Sequence, residues 1–313
     1  MSDADAFSAL NTIHDAPGSP DSPATGPGRT LAGDAWETLR SSWIFWGSLV
    51  LIGVLVVMAI FPGLFTSVDP ASCQAARARI SPSSSAWFGY DVQGCDIYAR
   101  TIYGARASIV VGTIATLTAM LIGGGIGVYA GFYGGIIDTL LSRITDIFFS
   151  IPVLLGSIII LTSIPTPSGS AIFSILKVSA ALAVLGWTHT ARVARSSVIQ
   201  VKQADFVSAS RALGASRTWM IRKHILPNAI APVIVITTIS LGSYIGAEAT
   251  LSYLGIGLQP PVISWGIAIN DAAAYVRSTP HMLFFPAIFL SLTVLAFISL
   301  GDVVREALDP KAM

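Results

Sequence analysis

The chain contains six apolar runs, each long enough to cross a lipid bilayer. They cover residues 41–68, 107–137, 147–164, 171–191, 229–247 and 278–301. About 20 apolar residues span the hydrocarbon core as a helix, and a helix satisfies its own backbone hydrogen bonds there. The first two runs contain no charged residue. We therefore predict an all-α, polytopic membrane protein with six transmembrane helices.

The composition agrees with this prediction. Only 11% of the residues are charged and 53% are hydrophobic, whereas a soluble domain carries about a quarter charged residues. The net charge of +1 makes no case for nucleic-acid binding. Residues 1–40 are polar and rich in Asp, Ser, Pro and Gly, so we expect a disordered cytoplasmic tail, with the transmembrane domain at 41–313.

The distribution of basic residues predicts the orientation. With both termini in the cytoplasm, the 18 Lys and Arg residues divide into 12 inside and 6 outside, as the positive-inside rule requires. The outer six are Arg77, Arg79, Arg100, Arg106, Lys177 and Arg277. This orientation places the polar loop 69–106 outside the cell and the charged stretch 205–228 in the cytoplasm.

Loop 69–106 holds both cysteines of the chain, Cys73 and Cys95. In an oxidising compartment a disulfide between them would close a loop of roughly twenty residues and contribute about 3 kcal/mol in the chain-entropy model. Two unrelated free thiols are the alternative.

Glu248 ends the fifth apolar run. Burying a carboxylate in a bilayer costs at least about 2.5 kcal/mol on insertion scales, so its side chain should face the protein interior or water. It is a candidate for lining or gating a pore, and a hydrogen-bonded anchor between helices is an equal alternative.

The apolar residues 258–270 contain Pro260 and Pro261, which favours a re-entrant or surface-lying segment over a full span. Near the inner surface, Arg143 and Asp146 have the spacing of a helical ion pair.

The stretch 205–228 carries five charged residues between two apolar runs. Asp205 can cap a short helix, Gly214 can adopt the left-handed conformation that ends it, and Ser216 can cap a second helix. Pro227 disfavours an uninterrupted continuation and predicts a new helix start. We therefore predict a pair of short helices joined by a glycine turn. On charge alone, a loop that only connects two membrane helices is as good an interpretation.

Two short motifs in this stretch favour a functional interpretation. Residues 211–216 are Arg-Ala-Leu-Gly-Ala-Ser, and residues 225–228 are Ile-Leu-Pro-Asn. Together they resemble the EAA loop of ABC-importer permeases, which is the coupling helix pair that docks into a cleft of the cytoplasmic ATPase. The resemblance implies that these residues couple the chain to an ATPase: Ser208, Ala209, Arg211, Ala212, Gly214, Ala215, Leu226 and Pro227.

The chain departs from that motif at its first three positions. Ser208, Ala209 and Ser210 stand where Glu-Ala-Ala is usual. A glutamate at position 208 could have reached back to the cap amide, so its loss should weaken the first turn by a few tenths to about 1 kcal/mol. By the resemblance, a glutamate here would make a polar contact to the ATPase, so the departure puts that contact in doubt but not the presence of the loop.

Three further segments resemble dipeptide and oligopeptide permeases. They are Trp-Phe-Gly-Tyr-Asp at 87–91, Tyr-Gly-Ala-Arg-Ala-Ser at 103–108 and Glu-Ala-Thr-Leu-Ser-Tyr-Leu-Gly-Ile-Gly at 248–257. In that family an arginine commonly stands where Cys95 is. The replacement fits a cysteine with a local purpose, such as the disulfide.

The resemblance implies the transmembrane permease subunit of an ATP-driven importer in a bacterial cell membrane. It implies a second homologous permease, two ATP-binding domains that carry ATP and Mg, an extracytoplasmic solute-binding protein and a peptide substrate. The chain has no Gly-Lys dipeptide and therefore no phosphate-binding P-loop, so we expect no ATPase activity of its own. An ion-coupled secondary transporter that uses Glu248 is the alternative. A membrane-embedded protease is weaker, because no Gly-x-Ser-Gly is present.

Overall fold

The computed structural model describes residues 31–308 except 166 and 168. Most of the predicted tail, residues 1–30, and the last five residues lie outside the described part. The helices are α1 (Leu31–Ser41), α2 (Trp43–Ile60), α3 (Ile97–Tyr133), α4 (Gly135–Phe149), α5 (Val153–Ser163), α6 (Ala171–Lys202), α7 (Asp205–Ala212), α8 (Arg217–Met220), α9 (Leu226–Tyr253), α10 (Trp265–Ala273) and α11 (His281–Ala307).

Within the described residues, five helices are long and apolar enough to cross a membrane. They are α2, α3, α6, α9 together with the turns before it, and α11. The bent pair α4 and α5 makes a sixth crossing when its two helices are counted together. The predicted all-α, polytopic fold is therefore confirmed.

The predicted third span, 147–164, is not one straight helix. Helices α4 and α5 meet at an angle of 81° across a break at residues 150–152. Pro152 stands in the cap position before α5, where its ring cannot continue the α4 hydrogen-bond ladder. The crossing is therefore built from two helices of different direction.

The start of α3 corrects the predicted outer loop. The helix begins at Ile97, so residues 97–106 are helical and the loop ends at residue 96. The charges of its first turns have partners: Arg100 pairs with Asp91 at 2.6 Å, and Arg106 donates to the carbonyl oxygens at the end of α2. These partners explain why a helix can begin where the apolar pattern has not yet started.

Helix α1 corrects the other predicted boundary, because residues 31–40 are helical and do not belong to a disordered tail. The helix packs against α11, and the side chain of Ala35 is buried. Trp36 packs edge-on against Phe45 of α2. An amphipathic helix of this length is stabilised by such tertiary contacts rather than by its own propensity.

Helices α3 and α6 are joined by close backbone packing at every fourth residue of α3. A Cβ added to Gly123 would lie 2.2 Å from the carbonyl oxygen of Trp187, and one added to Gly127 would lie 2.4 Å from that of Ala191. Gly131, four residues further on, approaches Arg195 in the same way. Glycines at this spacing let two membrane helices approach along their length.

Two ion pairs hold α4 against α6 at the end of the bundle that carries α7 and α8. Arg195 binds the carboxylate of Asp138 with two hydrogen bonds, of 2.5 and 2.7 Å. Arg192 binds Asp146 at 2.8 Å, whereas the predicted local partner Arg143 is 4.0 Å away. Asp146 therefore keeps the predicted local pair and adds a shorter one across the helix interface.

At the opposite end of the bundle, residues 254–264 fold back between α9 and α10. Trp265 is fully buried and donates its indole N–H to the carbonyl oxygen of Thr101 at 2.9 Å. The segment does not cross the membrane, in agreement with the expectation from Pro260 and Pro261. We call this end of the bundle, which also carries Cys73 and Cys95, the disulfide end.

Candidate functional site

Helices α7 and α8 form the predicted pair at residues 205–228, which we call the coupling loop. Helix α7 begins at Asp205, with Ala204 in the cap position, so the prediction that Asp205 caps the helix is wrong. In the first turn its carboxylate still interacts favourably with the positive end of the helix dipole. Ser216 does cap α8, because its Oγ accepts from the backbone N–H of Trp219.

Gly214 makes the turn between the two helices. Its φ is +79°, in the left-handed region that a side chain disfavours. Its N–H donates to the carbonyl oxygen of Arg211, and the N–H of Ala215 donates to that of Ser210. These two bonds form a Schellman motif, which ends α7 and turns the chain toward α8.

His224 connects the two halves of the coupling loop. Its ring lies 5.7 Å from the ring of Phe206 and 4.9 Å from that of Trp219. Its Nε2 shares a 3.1 Å hydrogen bond with Ser210, whose hydroxyl also donates to the carbonyl oxygen of Phe206. Since a hydroxyl has one hydrogen to donate, this arrangement of Ser210 is satisfied when Nε2 of His224 carries a proton and donates it.

Three buried apolar side chains attach the coupling loop to the bundle. Val207, Met220 and Ile225 are at most 3% exposed. They pack with Phe132 of α3 and with Val198 of α6. The burial of Val207 shows that α7 turns this side toward the bundle, so Phe206 and Leu213 stay exposed.

The opposite side of the coupling loop is open. Leu213 is 89% exposed. Exposing a large apolar side chain to water costs free energy, which a partner protein covering it would recover. Seven of the eight predicted coupling residues are exposed, and Ala215 is intermediate. The seven are Ser208, Ala209, Arg211, Ala212, Gly214, Leu226 and Pro227. The sequence-predicted residues are thus brought together on one accessible loop that a partner protein can contact.

A π-helical turn, Ile221–Ile225, joins α8 directly to α9. Pro227 stands in the first turn of α9, as predicted, but it does not break the chain direction: Arg217–Tyr253 counts as one continuous membrane-crossing unit. The side-chain amide of Asn228 donates to the carbonyl oxygen of His224 at 2.6 Å. Helix α8 therefore continues into α9 without an intervening loop.

Glu248 lies on α9 toward the disulfide end and is fully buried. Its Oε1 accepts a 2.8 Å hydrogen bond from Ser252, whose Oγ accepts from the backbone N–H of Leu258. This chain of bonds ties α9 to the folded-back segment 254–264. Packing is tight there, since a Cβ on Gly266 would lie 2.7 Å from the carbonyl oxygen of Ala249.

The loop at the disulfide end is folded on itself. A disulfide joins Cys73 to Cys95, at a sequence separation of 22. Asp91 accepts from the backbone N–H groups of Gln93 and Cys95 and binds Arg100. The disulfide therefore closes a loop that a largely buried ion pair, Asp91 to Arg100, ties to the start of α3.

We expect the double variant Cys73→Ser/Cys95→Ser to loosen this loop. Losing about 3 kcal/mol of loop-closure stabilisation should raise the population of the opened loop by up to about 100-fold. Trypsin cleavage after the exposed Arg77 and Arg79 should accelerate accordingly, while cleavage after the exposed Arg143 should not change. Equal cleavage rates in the parent and the variant would contradict a structural role for the disulfide.

Two contacts near the coupling loop were not predicted from the sequence. No local pattern indicated that His224 would lie between Phe206, Trp219 and Ser210. The pairing of Asp138 with Arg195, which are 57 residues apart, was not predicted either. Both contacts depend on helix packing, which leaves no short-range signal.

Two family models match separate parts of the chain. Residues 123–313 match the family model described as binding-protein-dependent transport system inner membrane component. Residues 30–82 match the N-terminal TM domain of oligopeptide transport permease C. The inward-facing MetNI methionine ABC transporter has a similar fold, with a TM-score of 0.53 and 21% identity over 66% of this chain and 96% of that chain.

Several relatives are similar over nearly their full length. The oligopeptide transport system permease protein OppC of Bacillus subtilis is 38% identical, with 89% of each chain covered. The dipeptide transport system permease protein DppC of the same species is 37% identical, with 91% of this chain and 87% of the relative covered. The glutathione transport system permease protein GsiD of Escherichia coli is 34% identical, with 90% and 91% covered.

Proposed function

The chain belongs to the family of binding-protein-dependent transport system inner membrane components, and from this premise we propose that it imports peptides by coupling ATP hydrolysis in partner subunits to its own membrane helices. It is a multi-pass membrane protein and an ABC-importer permease. The observation that carries the proposed coupling is the exposed coupling loop, which is anchored by buried side chains and continues into α9.

The proposed mechanism is mechanical. When the ATPase domains close on ATP, they push on the exposed side of α7 and α8. Because the Schellman turn at Gly214 and the contacts of His224 hold the two short helices together, the loop moves as one body. The π-helical turn passes this movement to α9, which packs against α3, α6 and α11. The membrane path then switches between inward and outward access.

We also propose the partners of this chain and its orientation in the membrane. A second homologous permease completes the pore, two ATP-binding domains carry ATP and Mg, and an extracytoplasmic solute-binding protein delivers the solute. Both termini and the coupling loop lie in the cytoplasm, and the disulfide end lies outside in an oxidising compartment. This chain itself does not hydrolyse ATP, since its sequence has no P-loop.

A short peptide is the substrate that the relatives favour, because OppC and DppC are named for oligopeptide and dipeptide transport. A member named for glutathione, itself a small peptide-like molecule, is nearly as similar. We therefore propose a di- or oligopeptide as the cargo.

For Glu248 we propose the anchoring role rather than the pore-gating one. Its carboxyl group is buried against Ser252 and serves to hold the folded-back segment on α9. Only an ion-coupled secondary transporter would need this group to bind and release a cation. The two functions therefore differ in what a neutral isostere does.

The test is uptake of a labelled tripeptide by proteoliposomes that contain the complex purified with its partners. We expect uptake to require ATP and to be indifferent to a proton or sodium gradient. Glu248→Gln should keep ATP-driven uptake within about threefold of the parent, because the amide oxygen can accept from Ser252 as the carboxylate does. Glu248→Leu is the control that removes the acceptor. Gradient-driven uptake that Glu248→Gln abolishes would favour the secondary transporter.

A further inference from the structure

A basic cavity lies beside the coupling loop where α3 and α6 end. It has a volume of about 450 Å³ and is lined by Lys202, Arg211 and Arg217 together with Phe132 and Tyr133. No carboxylate lines it, and none of the three cations forms an ion pair within the described part of the chain. Asp138 interacts electrostatically with Lys202 but is already bound by Arg195. The cavity therefore keeps an excess of positive charge, which favours an anionic ligand.

An apolar groove of about 470 Å³ runs along α3 and α9 toward this cavity. One wall extends on α3 from Met120 to Tyr129, and the other is formed by the start of α9 and by Ile221. The ten residues of this wall span nine helical rises, about 13 Å, which is close to half of the roughly 30 Å hydrocarbon thickness. The groove therefore has the length of one lipid leaflet.

The groove and the basic cavity adjoin on both walls. On α3, Tyr129 lines the groove and Tyr133 lines the cavity one turn later, with their rings 4.4 Å apart. On the other wall, Ile221 lines the groove and its neighbour Met220 lines the cavity. The apolar and basic parts thus form one elongated site with tyrosines at the junction, the level where they are enriched in membrane proteins.

The glycines of α3 support a ligand in the groove. The space beside Gly123 and Gly127 is occupied by the backbone of α6. Gly124 and Gly125 line the groove instead, and a Cβ added to either would meet nothing within 4 Å. The helix therefore has a second small-residue surface that no part of the described chain covers.

We propose that this composite site binds one anionic phospholipid of the leaflet next to the coupling loop, with the phosphate headgroup in the basic cavity and an acyl chain in the groove. Basic pockets between membrane helices on the cytoplasmic side are suited to such headgroups. The headgroup would contact Arg217 at the start of α8 and Lys202 at the end of α6. The bound lipid would therefore fix α8 against the bundle and make coupling sensitive to lipid composition.

The test uses the full chain purified with its partners and native mass spectrometry with added dioleoyl-phosphatidylglycerol or dioleoyl-phosphatidylcholine. We expect one phosphatidylglycerol to be retained about tenfold more than phosphatidylcholine. Lys202→Gln/Arg217→Gln and, separately, Gly125→Leu should each reduce its occupancy at least fivefold. The matched control is Arg40→Gln/Arg143→Gln, which removes two exposed cations outside the cavity and should not change occupancy.

Three results would overturn the proposal. Equal occupancy by both lipids would remove the headgroup selectivity. Displacement of the lipid by inorganic phosphate, with no effect of Gly125→Leu, would show that the cavity binds a free anion only. Release of the ATPase subunits by Lys202→Gln/Arg217→Gln with unchanged lipid occupancy would show that an acidic side chain of the ATPase occupies the cavity.

If the basic variant does not assemble, the lipid occupancy of Gly125→Leu alone decides between the outcomes, because its side chain enters open space. Lipid occupancy is measured without transport, so the result does not depend on the proposed cargo.

Discussion

Gly214→Val is expected to uncouple ATP hydrolysis from uptake while the chain still inserts and assembles. A β-branched residue is a conformational outlier at the φ of +79° that this position adopts, and an ordinary L-residue in this region already costs about 1–2 kcal/mol. The chain would relieve the strain by abandoning the Schellman turn, so α7 would no longer hold its position relative to α8. We expect uptake per ATP hydrolysed to fall at least tenfold in proteoliposomes.

Gly214→Asn is the matched control for this prediction. Asparagine adopts the left-handed conformation far more readily than valine, so most of the coupling should be retained. A Cβ at this position meets nothing within 4 Å, so steric contact with neighbours cannot account for a difference between the two variants. Normal transport by the valine variant would count heavily against the coupling mechanism.

Gly127→Leu is expected to prevent folding of the transmembrane domain. Its Cβ would lie 2.4 Å from the carbonyl oxygen of Ala191 and 2.9 Å from the backbone nitrogen of Arg195, and neither backbone atom can rotate away. Overpacking of a well-packed interior costs about 1–3 kcal/mol or more, and the total stability of a domain is only about 5–15 kcal/mol. Since α3 and α6 form the most extensive helix pair among the described residues, little monodisperse protein should remain.

Gly124→Leu tests whether this loss is specific to the α3–α6 interface. It introduces the same side chain three residues earlier on the same helix, where nothing lies within 4 Å. We expect the control to elute in size-exclusion chromatography as the parent does, whereas Gly127→Leu should aggregate. A Gly127→Leu protein that elutes normally and melts within about 2 °C of the parent would show that the interface is looser than the structure indicates.

The coupling loop illustrates how far local sequence signals reach. Gly214 and Ser216 were predictable because a left-handed turn and a helix cap are decided within four or five residues. The start of α7 was predicted one residue too late, because Asp205 was taken as the cap and is instead the first helical residue. The tertiary anchor at Val207 decides where α7 lies against the bundle, and this anchor has no local signature.

By itself, the sequence determined the number and approximate position of the apolar crossings, the glycine turn and the exposed motif at residues 205–228, since hydrophobic runs and turn residues act over short distances. Only the tertiary structure decided which glycines of α3 face α6, that Asp146 pairs with Arg192, and that His224 bridges α7 and α8. It also brought Lys202, Arg211 and Arg217 to one cavity. The reason is that these choices depend on the rotation and depth of packed helices, and a shift of one residue would exchange the faces that meet.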